Sequence, residues 1–236
     1  MASLTNRRST GAIMAASVTL LVGLLLLWLA VPRTVAYAKL ATGNEYMVAL
    51  SRGDSLTPRQ LLAAISSRSE ALAWLDLPDA WIDMGSLYLA LARRDTLSQE
   101  DRNGFLDSSV RSFERGLMAA PSRPFAWAQL AQVNHLKDPA SRAVDSLLRM
   151  SVTTGPREPR LISQRVRIGF AARANLSAEA AHNIGEEVRL WAKYDAWRLA
   201  DWARPHFALP WVRQALKDQP ALDRRFLVNY LSLPPR

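Results

Sequence analysis

The chain has 236 residues, a formal net charge of +9 and no cysteine. The lack of cysteine excludes disulfides, thiolate zinc sites and cysteine nucleophiles. Hydrophobic residues make up 49% of the chain, glycine contributes only 10 residues, and no alternation of polar and apolar residues typical of strands stands out. This composition predicts an all-α fold with enough apolar side chains for one helical core.

An uncharged apolar stretch, residues 11–31, lies near the N-terminus. A helix of that length is about 30 Å long, which matches the hydrocarbon core of a bilayer. Arg7 and Arg8 precede the stretch and no acidic residue does, so residues 1–10 are predicted to stay in the cytoplasm. We therefore expect a single-pass protein of the bacterial inner membrane whose C-terminal domain is periplasmic.

A cleaved signal peptide is the alternative to a retained anchor. Ala36-Tyr37-Ala38 has the small-residue pattern of a cleavage site and follows the apolar stretch closely. The stretch is longer than the roughly 7–15 residues of a typical signal-peptide core, and Pro32 interrupts the approach to the site. These features favour the anchor, while cleavage near Ala38 stays open.

The rest of the chain is predicted to be a linker, residues 32–56, followed by a helical domain, residues 57–236. Thr57-Pro58 indicates a helix start, because the threonine caps the helix and proline suits its first position. Prolines break the chain beyond Asp195 into short capping helices. The predicted helices before that point span 57–74, 78–91, 99–119, 123–136, 139–152, 158–173 and 177–193.

One spacing of residues occurs twice in this domain. The first helical segment of each occurrence contains Trp81-x2-Met84-Gly85-x2-Tyr88 and then Trp127-x2-Leu130-Ala131-x2-Asn134. The second segments carry, at identical offsets, Ser109, Phe113, Gly116 and Pro121, and then Ala143, Leu147, Met150 and Gly155.

These spacings resemble the signature of the tetratricopeptide repeat (TPR), whose units are pairs of helices. The resemblance implies that the tryptophan fills the gap between paired helices and that Gly85 or Ala131 allows their close approach. Relative to the family, residues 93–101 belong to an insertion of about twelve residues in the first unit. A third unit would put Leu161 at the tryptophan position and Arg165 at the small position, so the signature fades there.

The TPR resemblance also implies a binding groove, lined by the first helix of each unit. The residues of this groove are mostly uncharged. They lack the cluster of lysine and arginine that some TPR grooves use to bind acidic C-termini. That mixture favours an apolar peptide or a helix of a protein partner. Carried over by register, the groove residues are Asp79, Ile82, Ser86 and Leu89 in the first unit, and Phe125, Ala128, Gln132 and His135 in the second.

No constellation of residues points to catalysis. The three histidines, His135, His182 and His206, lack a second ligand at metal-binding spacing, and no phosphate-binding loop or nucleophile motif is present. We therefore expect no catalytic, cofactor or metal site, and no nucleic-acid partner.

The C-terminal third is basic and rich in tryptophan. Residues 157–236 contain 14 basic and 8 acidic side chains, and four of the eight tryptophans lie in 191–211. Such a surface could bind an acidic glycan or a lipid headgroup. The simpler interpretation is that the rings close the core and that arginines pair with nearby glutamates. Trp197 and Trp202 favour it, because five residues of helix separate them and they do not share one face.

We expect a membrane-anchored, non-catalytic TPR scaffold that recruits a partner protein in bacterial envelope assembly or export. Its architecture is similar to that of accessory proteins of envelope polysaccharide assembly. The alternative function is binding of an acidic glycan or lipid headgroup by the Trp- and Arg-rich C-terminal region.

Overall fold

The computed structural model describes residues 3–234, with side chains from Ala12 onward except that of Ile13. Within that range the chain forms eleven α-helices and no strand, which confirms the all-α prediction. Met1 and Ala2 of the predicted cytoplasmic segment, and the side chains of Arg7 and Arg8, lie outside the description.

The helices are numbered in chain order. Their bounds are α1 Ser3–Ala41, α2 Asn44–Arg52, α3 Pro58–Leu72, α4 Pro78–Ala92, α5 Gln99–Ala119, α6 Pro124–Lys137, α7 Ala143–Thr154, α8 Pro159–Ala171, α9 Ala178–Ala203, α10 Leu209–Leu216 and α11 Pro220–Ser232.

The chain divides into two compact units, and the boundary lies within α4, between Ala80 and Trp81. Unit 1 therefore contains α1 to α3, and unit 2 contains α5 to α11 with most of α4. The sequence placed the domain boundary before residue 57. The structure groups α3 with α1 and α2 instead, since α3 packs against both of them.

Helix α1 contains one segment, Met14–Ala41, that is long and apolar enough to cross a membrane. The mean hydropathy of its most apolar part is 2.4, and none of that part is buried in the protein. The helix does not end at residue 31 as predicted. Pro32 removes only one backbone hydrogen bond of the helix, and α1 continues through it to Ala41.

The predicted linker, residues 32–56, is therefore mostly helical, which corrects the sequence prediction. It comprises the end of α1 and all of α2. The fully buried Arg68 of α3 joins the two, because its guanidinium donates to Asn44 Oδ1 at 2.9 Å and to the Leu40 carbonyl at 3.4 Å. As predicted, Thr57 caps α3, in a capping box completed by Gln60.

In unit 2, α4 and α5 form the first of three successive helical hairpins. Gly85 faces the buried ring of Phe113, and a Cβ atom at Gly85 would lie 2.8 Å from that ring. Ser109 Oγ donates to the Gly85 carbonyl at 2.7 Å. The close approach predicted at Gly85 is therefore present. Trp81, in contrast, is only half-buried and lines an open depression between the two helices.

The second hairpin consists of α6 and α7, which pack closely along their length. Ala131 is fully buried in a cluster with Val144 and Leu148 of α7. Trp127 is half-buried, packs against the core that α5 shares with α6, and donates its indole N–H to the Pro121 carbonyl at 2.7 Å. The small residue thus occupies the close contact, while the tryptophan lies at its edge.

The third hairpin, α8 with α9, forms although the repeat signature fades there. Gly169 faces Ile184, and a Cβ atom at Gly169 would lie 2.7 Å from the isoleucine Cγ2. Helix α9 leaves helical geometry at Asp195 and then continues to Ala203. The sequence predicted both the break near Asp195 and short helical segments beyond it.

Helices α10 and α11 close the C-terminal end of unit 2 by packing against α9. Trp191 and Trp202 are buried in this core with Val212 and Phe226, and Trp211 packs on its edge. These three rings occupy the core as the simpler interpretation proposed, whereas Trp197 does not.

Candidate functional site

Three of the predicted groove residues are core residues, which corrects that part of the sequence prediction. Ile82 and Leu89 belong to the apolar cluster between α4, α5 and α6, and Ala128 is fully buried. Residues 82, 85 and 89 lie on one face of a helix, and Gly85 turns that face toward Phe113 of α5. The side chains at 82 and 89 therefore contact the paired helix rather than a ligand.

The other five predicted residues retain some exposure. Asp79 is exposed but belongs to unit 1, and Ser86 donates its hydroxyl to the Ile82 carbonyl at 3.1 Å. Phe125 is exposed, and Gln132 and His135 are half-buried. In unit 2 the structure thus brings together only the predicted residues of α6 on one accessible helix.

The most accessible face of α6 carries two exposed residues, Phe125 and Leu136, and two half-buried ones, Gln129 and Gln132. These four residues are here called the α6 stripe. They follow one another at intervals of four, three and four residues, so they share one face of the helix. Phe125 and Leu136 are 40% and 47% exposed. Gln129 and Leu136 were not among the predicted groove residues, because this face is rotated away from Ala128 and His135.

The side chain of Gln129 is unusual within this stripe. Its Oε1 atom is buried and accepts no hydrogen bond from the described part of the chain. A buried amide oxygen without a donor costs about 1–3 kcal/mol.

A pocket of about 590 Å³, here called the aromatic pocket, opens where the start of α8 meets the second half of α9. The break at Asp195 redirects α9, so that residues on both sides of it line the same cavity. The lining consists of aromatic rings, arginines, aspartates and a few apolar side chains: Pro159, Ile162, Ser163, Arg167, Trp191, Tyr194, Asp195, Trp197, Arg198, Asp201, Trp202, Pro205 and His206.

Stacked aromatic rings form the floor of the aromatic pocket. The rings of Trp191 and Trp202 stack with centroids 5.5 Å apart, and His206 stacks on Trp202 at 5.4 Å. His206 Nδ1 lies 2.7 Å from the Trp202 carbonyl, which fixes the ring. The guanidinium of Arg167 lies over Trp191, 5.8 Å from the ring centre.

The rim of the pocket carries charges of both signs. Arg198 lies 3.4 Å from the Asp195 carboxylate, and Asp195 also accepts the backbone N–H of Arg198 at 3.0 Å. With Arg167 and Asp201, the pocket is lined by two arginines and two aspartates. The local charge is therefore balanced, although the C-terminal third as a whole is basic.

A second depression of about 450 Å³, here called the basic depression, adjoins the aromatic pocket. The two share Tyr194, Asp195 and Trp197. Arg224, Arg225 and Val228 of α11 line its other side. The side chain of Trp197 therefore lines both cavities.

A buried ion pair joins α8 to α9. Arg165 and Glu187 are both buried, with Arg165 Nη1 3.0 Å from Glu187 Oε1. Arg165 also donates to Ser151 Oγ at 2.9 Å, to the Ser151 carbonyl at 2.6 Å and to the Gly155 carbonyl at 2.9 Å. Glu187 Oε2 has no hydrogen-bond partner in the described part of the chain.

Burial shifts both groups of this pair toward neutrality. It raises the pKa of the Glu187 carboxyl, and the attraction of Arg165 opposes that shift. It also lowers the pKa of the Arg165 guanidinium, which the attraction of Glu187 opposes. The pair serves to connect α7, α8 and α9.

Other basic residues of the C-terminal third pair locally, as the simpler interpretation proposed. Arg189 pairs with Glu186, and Arg213 lies 3.1 Å from Asp223. Arg204 donates to the Leu233 carbonyl. These contacts satisfy part of the positive charge within the protein.

The repeat register contained a signal for the aromatic pocket. Continuing it by 34 residues, the length of a TPR unit, carries Phe125, Ala128 and Gln129 of α6 onto Pro159, Ile162 and Ser163 of α8. All three residues of α8 line the pocket. Two of these three residues, Pro159 and Ser163, correspond to the exposed Phe125 and the half-buried Gln129 of α6, whereas Ile162 corresponds to the buried Ala128.

No group of three or more His, Asp or Glu side chains suited to holding a metal ion occurs among the described residues. Neither the protein-family models nor the curated proteins compared with the chain give a match.

Proposed function

We propose that this protein is a membrane-anchored, non-catalytic adaptor of the bacterial envelope, which holds a partner protein on the exposed face of TPR-like hairpins. The α6 stripe is the observation that carries the proposal. It carries no charge and combines two exposed apolar side chains with two half-buried amides. The architectural resemblance to accessory proteins of polysaccharide assembly suggests the process that it serves.

The α6 stripe has the chemistry of a peptide-binding surface. Phe125 and Leu136 offer apolar contact area, and the half-buried Gln132 amide can both donate to and accept from a peptide backbone. None of the four residues of the stripe is charged. We infer that the ligand is a peptide segment of the partner protein rather than a charged small molecule.

Retention of the anchor is supported by the packing of unit 1. Ala36 is fully buried where α1 packs on α3, and Lys39 Nζ lies 2.7 Å from Glu70 Oε2. Cleavage after Ala38 would remove the first of these contacts. With the N-terminus inside, unit 2 would lie in the periplasm. A C-terminal alkaline phosphatase fusion, which is active only there, should be active, and an inactive fusion would reverse the topology.

A membrane tether makes modest affinity sufficient. Confining the adaptor and its partner to one membrane raises the effective concentration of each for the other. The site therefore does not need the large interface of a tight soluble complex. This expectation suits a single helix stripe with two amides and two apolar residues.

The proposal is tested by recovery of partners from membranes. The full chain is crosslinked in cells and purified, and recovered membrane proteins are compared with those of Phe125→Ala/Leu136→Ala. We expect the double variant to lose its specific partners while keeping its helicity and membrane localisation.

The matched control is Leu62→Ala/Met118→Ala, which removes two exposed apolar side chains elsewhere. It should recover partners like the parent. If the stripe variant recovers the same partners as this control, binding does not occur on the α6 stripe and the proposed function fails.

A further inference from the structure

Trp197 is the one tryptophan of the C-terminal cluster whose ring is left to solvent. It is 53% exposed, whereas Trp191 and Trp202 are buried. Tyr194, one turn earlier, is also exposed and lines both cavities with it. Two accessible aromatic rings between adjoining cavities can contact a chain-like ligand on either side.

The chemistry of the aromatic pocket matches a sugar ring. The C–H face of a pyranose is apolar and weakly positive, so it stacks on the negative face of an aromatic ring. Around Trp197 lie carboxylates, which accept hydrogen bonds from hydroxyls, and arginines, which donate to them. Arg198 Nε lies 3.4 Å from Asp195 Oδ2, so a donor and an acceptor are available to neighbouring hydroxyls of one sugar.

Two other aromatic faces of the pocket are already covered by side chains of the protein. The face of Trp191 that would attract a cation already carries the Arg167 guanidinium. His206 likewise covers a face of Trp202. The exposed ring of Trp197 is the stacking surface that stays accessible.

The basic depression adds positive charge on the other side of Trp197. Across both cavities the lining contains Arg167, Arg198, Arg224 and Arg225 against Asp195 and Asp201. The excess of arginine lies in the basic depression, where two of them face a single aspartate. A carboxylate on the ligand would therefore be favoured there.

We propose that the two cavities together bind an acidic oligosaccharide, with one sugar stacked on Trp197 and a carboxylated sugar beside Arg224 and Arg225. This site is separate from the α6 stripe and does not depend on the adaptor function. An anionic lipid headgroup shares the negative charge but lacks the ring that stacks on Trp197.

The test uses the full chain in phosphatidylcholine nanodiscs, since maltoside detergents carry a sugar headgroup. Hexamers of galacturonate and of mannuronate, neutral cellohexaose, and phosphatidylglycerol vesicles are titrated by calorimetry. We expect at least one acidic hexamer to bind, and Trp197→Ala to weaken that binding roughly tenfold. Arg224→Gln/Arg225→Gln should bring the acidic hexamer down to the affinity of cellohexaose.

Trp74→Ala is the matched control, because Trp74 is 50% exposed and lies in unit 1. It should bind like the parent. Failure of both acidic hexamers to bind would overturn the proposal, as would equal binding by Trp197→Ala and the parent. Binding of the phosphatidylglycerol vesicles alone, lost in Trp197→Ala, would identify a lipid site and overturn it as well.

Discussion

The first hairpin, α4 with α5, and the third, α8 with α9, have similar architecture but are closed by different chemistry. In the first, Gly85 admits the ring of Phe113, and both helices meet through a small residue. In the third, the equivalent position is Arg165, which is fully buried and bonded to Ser151, Gly155 and Glu187. The close contact moves one turn along, to Gly169 against Ile184.

The two hairpins show that a repeat signature describes how two helices pack, and not whether a hairpin forms. The tryptophan and small-residue spacing marks a particular way of packing two helices, and a hairpin can persist after that packing has been replaced. The candidate binding surfaces lie elsewhere, at positions that the signature leaves undefined. Four predictions test whether the hairpins are held together by small-residue contacts or by the buried ion pair. The variant with the largest expected effect comes first.

The largest effect should follow from Arg165→Ala in the third hairpin. It leaves the Glu187 carboxylate buried without a counter-charge and the Ser151 and Gly155 carbonyls without a donor. We expect a loss of about 3–5 kcal/mol in the free energy of unfolding. Urea unfolding of the full chain in micelles, followed by tryptophan fluorescence, measures it.

The control is the double variant Arg165→Met/Glu187→Leu, which replaces the ion pair with apolar side chains of similar length. It should be clearly more stable than Arg165→Ala, because neither charge is then left unpaired. An Arg165→Ala protein as stable as the parent would mean that the ion pair does not hold this hairpin together.

Ala131→Leu probes the second hairpin, where the signature is still readable. The added side chain would overpack the contact with Val144 and Leu148, at a cost of about 1–3 kcal/mol. Ala171→Leu, at an exposed position of α8, should leave the unfolding midpoint nearly unchanged. Equal midpoints for the two variants would refute the register on which the hairpins are aligned.

Glycine substitutions compare the first and third hairpins directly. Gly85→Ala and Gly169→Ala should each destabilise by about 1 kcal/mol or more, because the new Cβ meets Phe113 or Ile184. Gly104→Ala and Gly185→Ala place a methyl group in open space and should stabilise by about 0.5–1 kcal/mol. Thermal unfolding shows whether each variant is more or less stable than the parent. If all four variants shifted the unfolding midpoint in the same direction, the packing described would be contradicted.

The smallest expected effect is a pH dependence in the third hairpin. Because the pKa of Glu187 is raised in the folded protein, its contribution to stability is greatest below the ordinary carboxyl range and is lost as the pH rises through the folded value. The parent should therefore lose stability relative to Glu187→Gln between acid and neutral pH. If the parent instead became more stable relative to Glu187→Gln over that range, the attraction of Arg165 would outweigh the effect of burial on the Glu187 carboxyl.

Much of the fold could be predicted from local signals. Thr57-Pro58 marks a helix start that the structure confirms, and the helices predicted over 123–136 and 158–173 begin at Pro124 and Pro159. The end of α1 could not be predicted in this way, because one lost hydrogen bond at Pro32 is outweighed by packing of α1 on α3. Local spacing carries no information about that tertiary contact.

The candidate sites were harder to predict from the sequence than the helices. Among the predicted groove residues, Phe125 is exposed and Gln132 half-buried, whereas Ile82 and Ala128 are buried. Separating these groups from the sequence would have required the rotation of each helix to be known within about one residue. The aromatic pocket depends on the break at Asp195, which brings Trp197 and Trp202 to one cavity despite their spacing. Helical periodicity alone argued against that arrangement.

The central claim, that the exposed face of α6 receives a partner, is tested most directly by a crosslinking scan in native membranes. Photoreactive benzoylphenylalanine is placed singly at each position from 124 to 137 and at Met118, which is 71% exposed on α5. The account predicts crosslinks to one membrane partner that peak at 125, 129, 132 and 136, with none from 118. Crosslinks of equal yield around α6, or stronger ones from Met118, would contradict it.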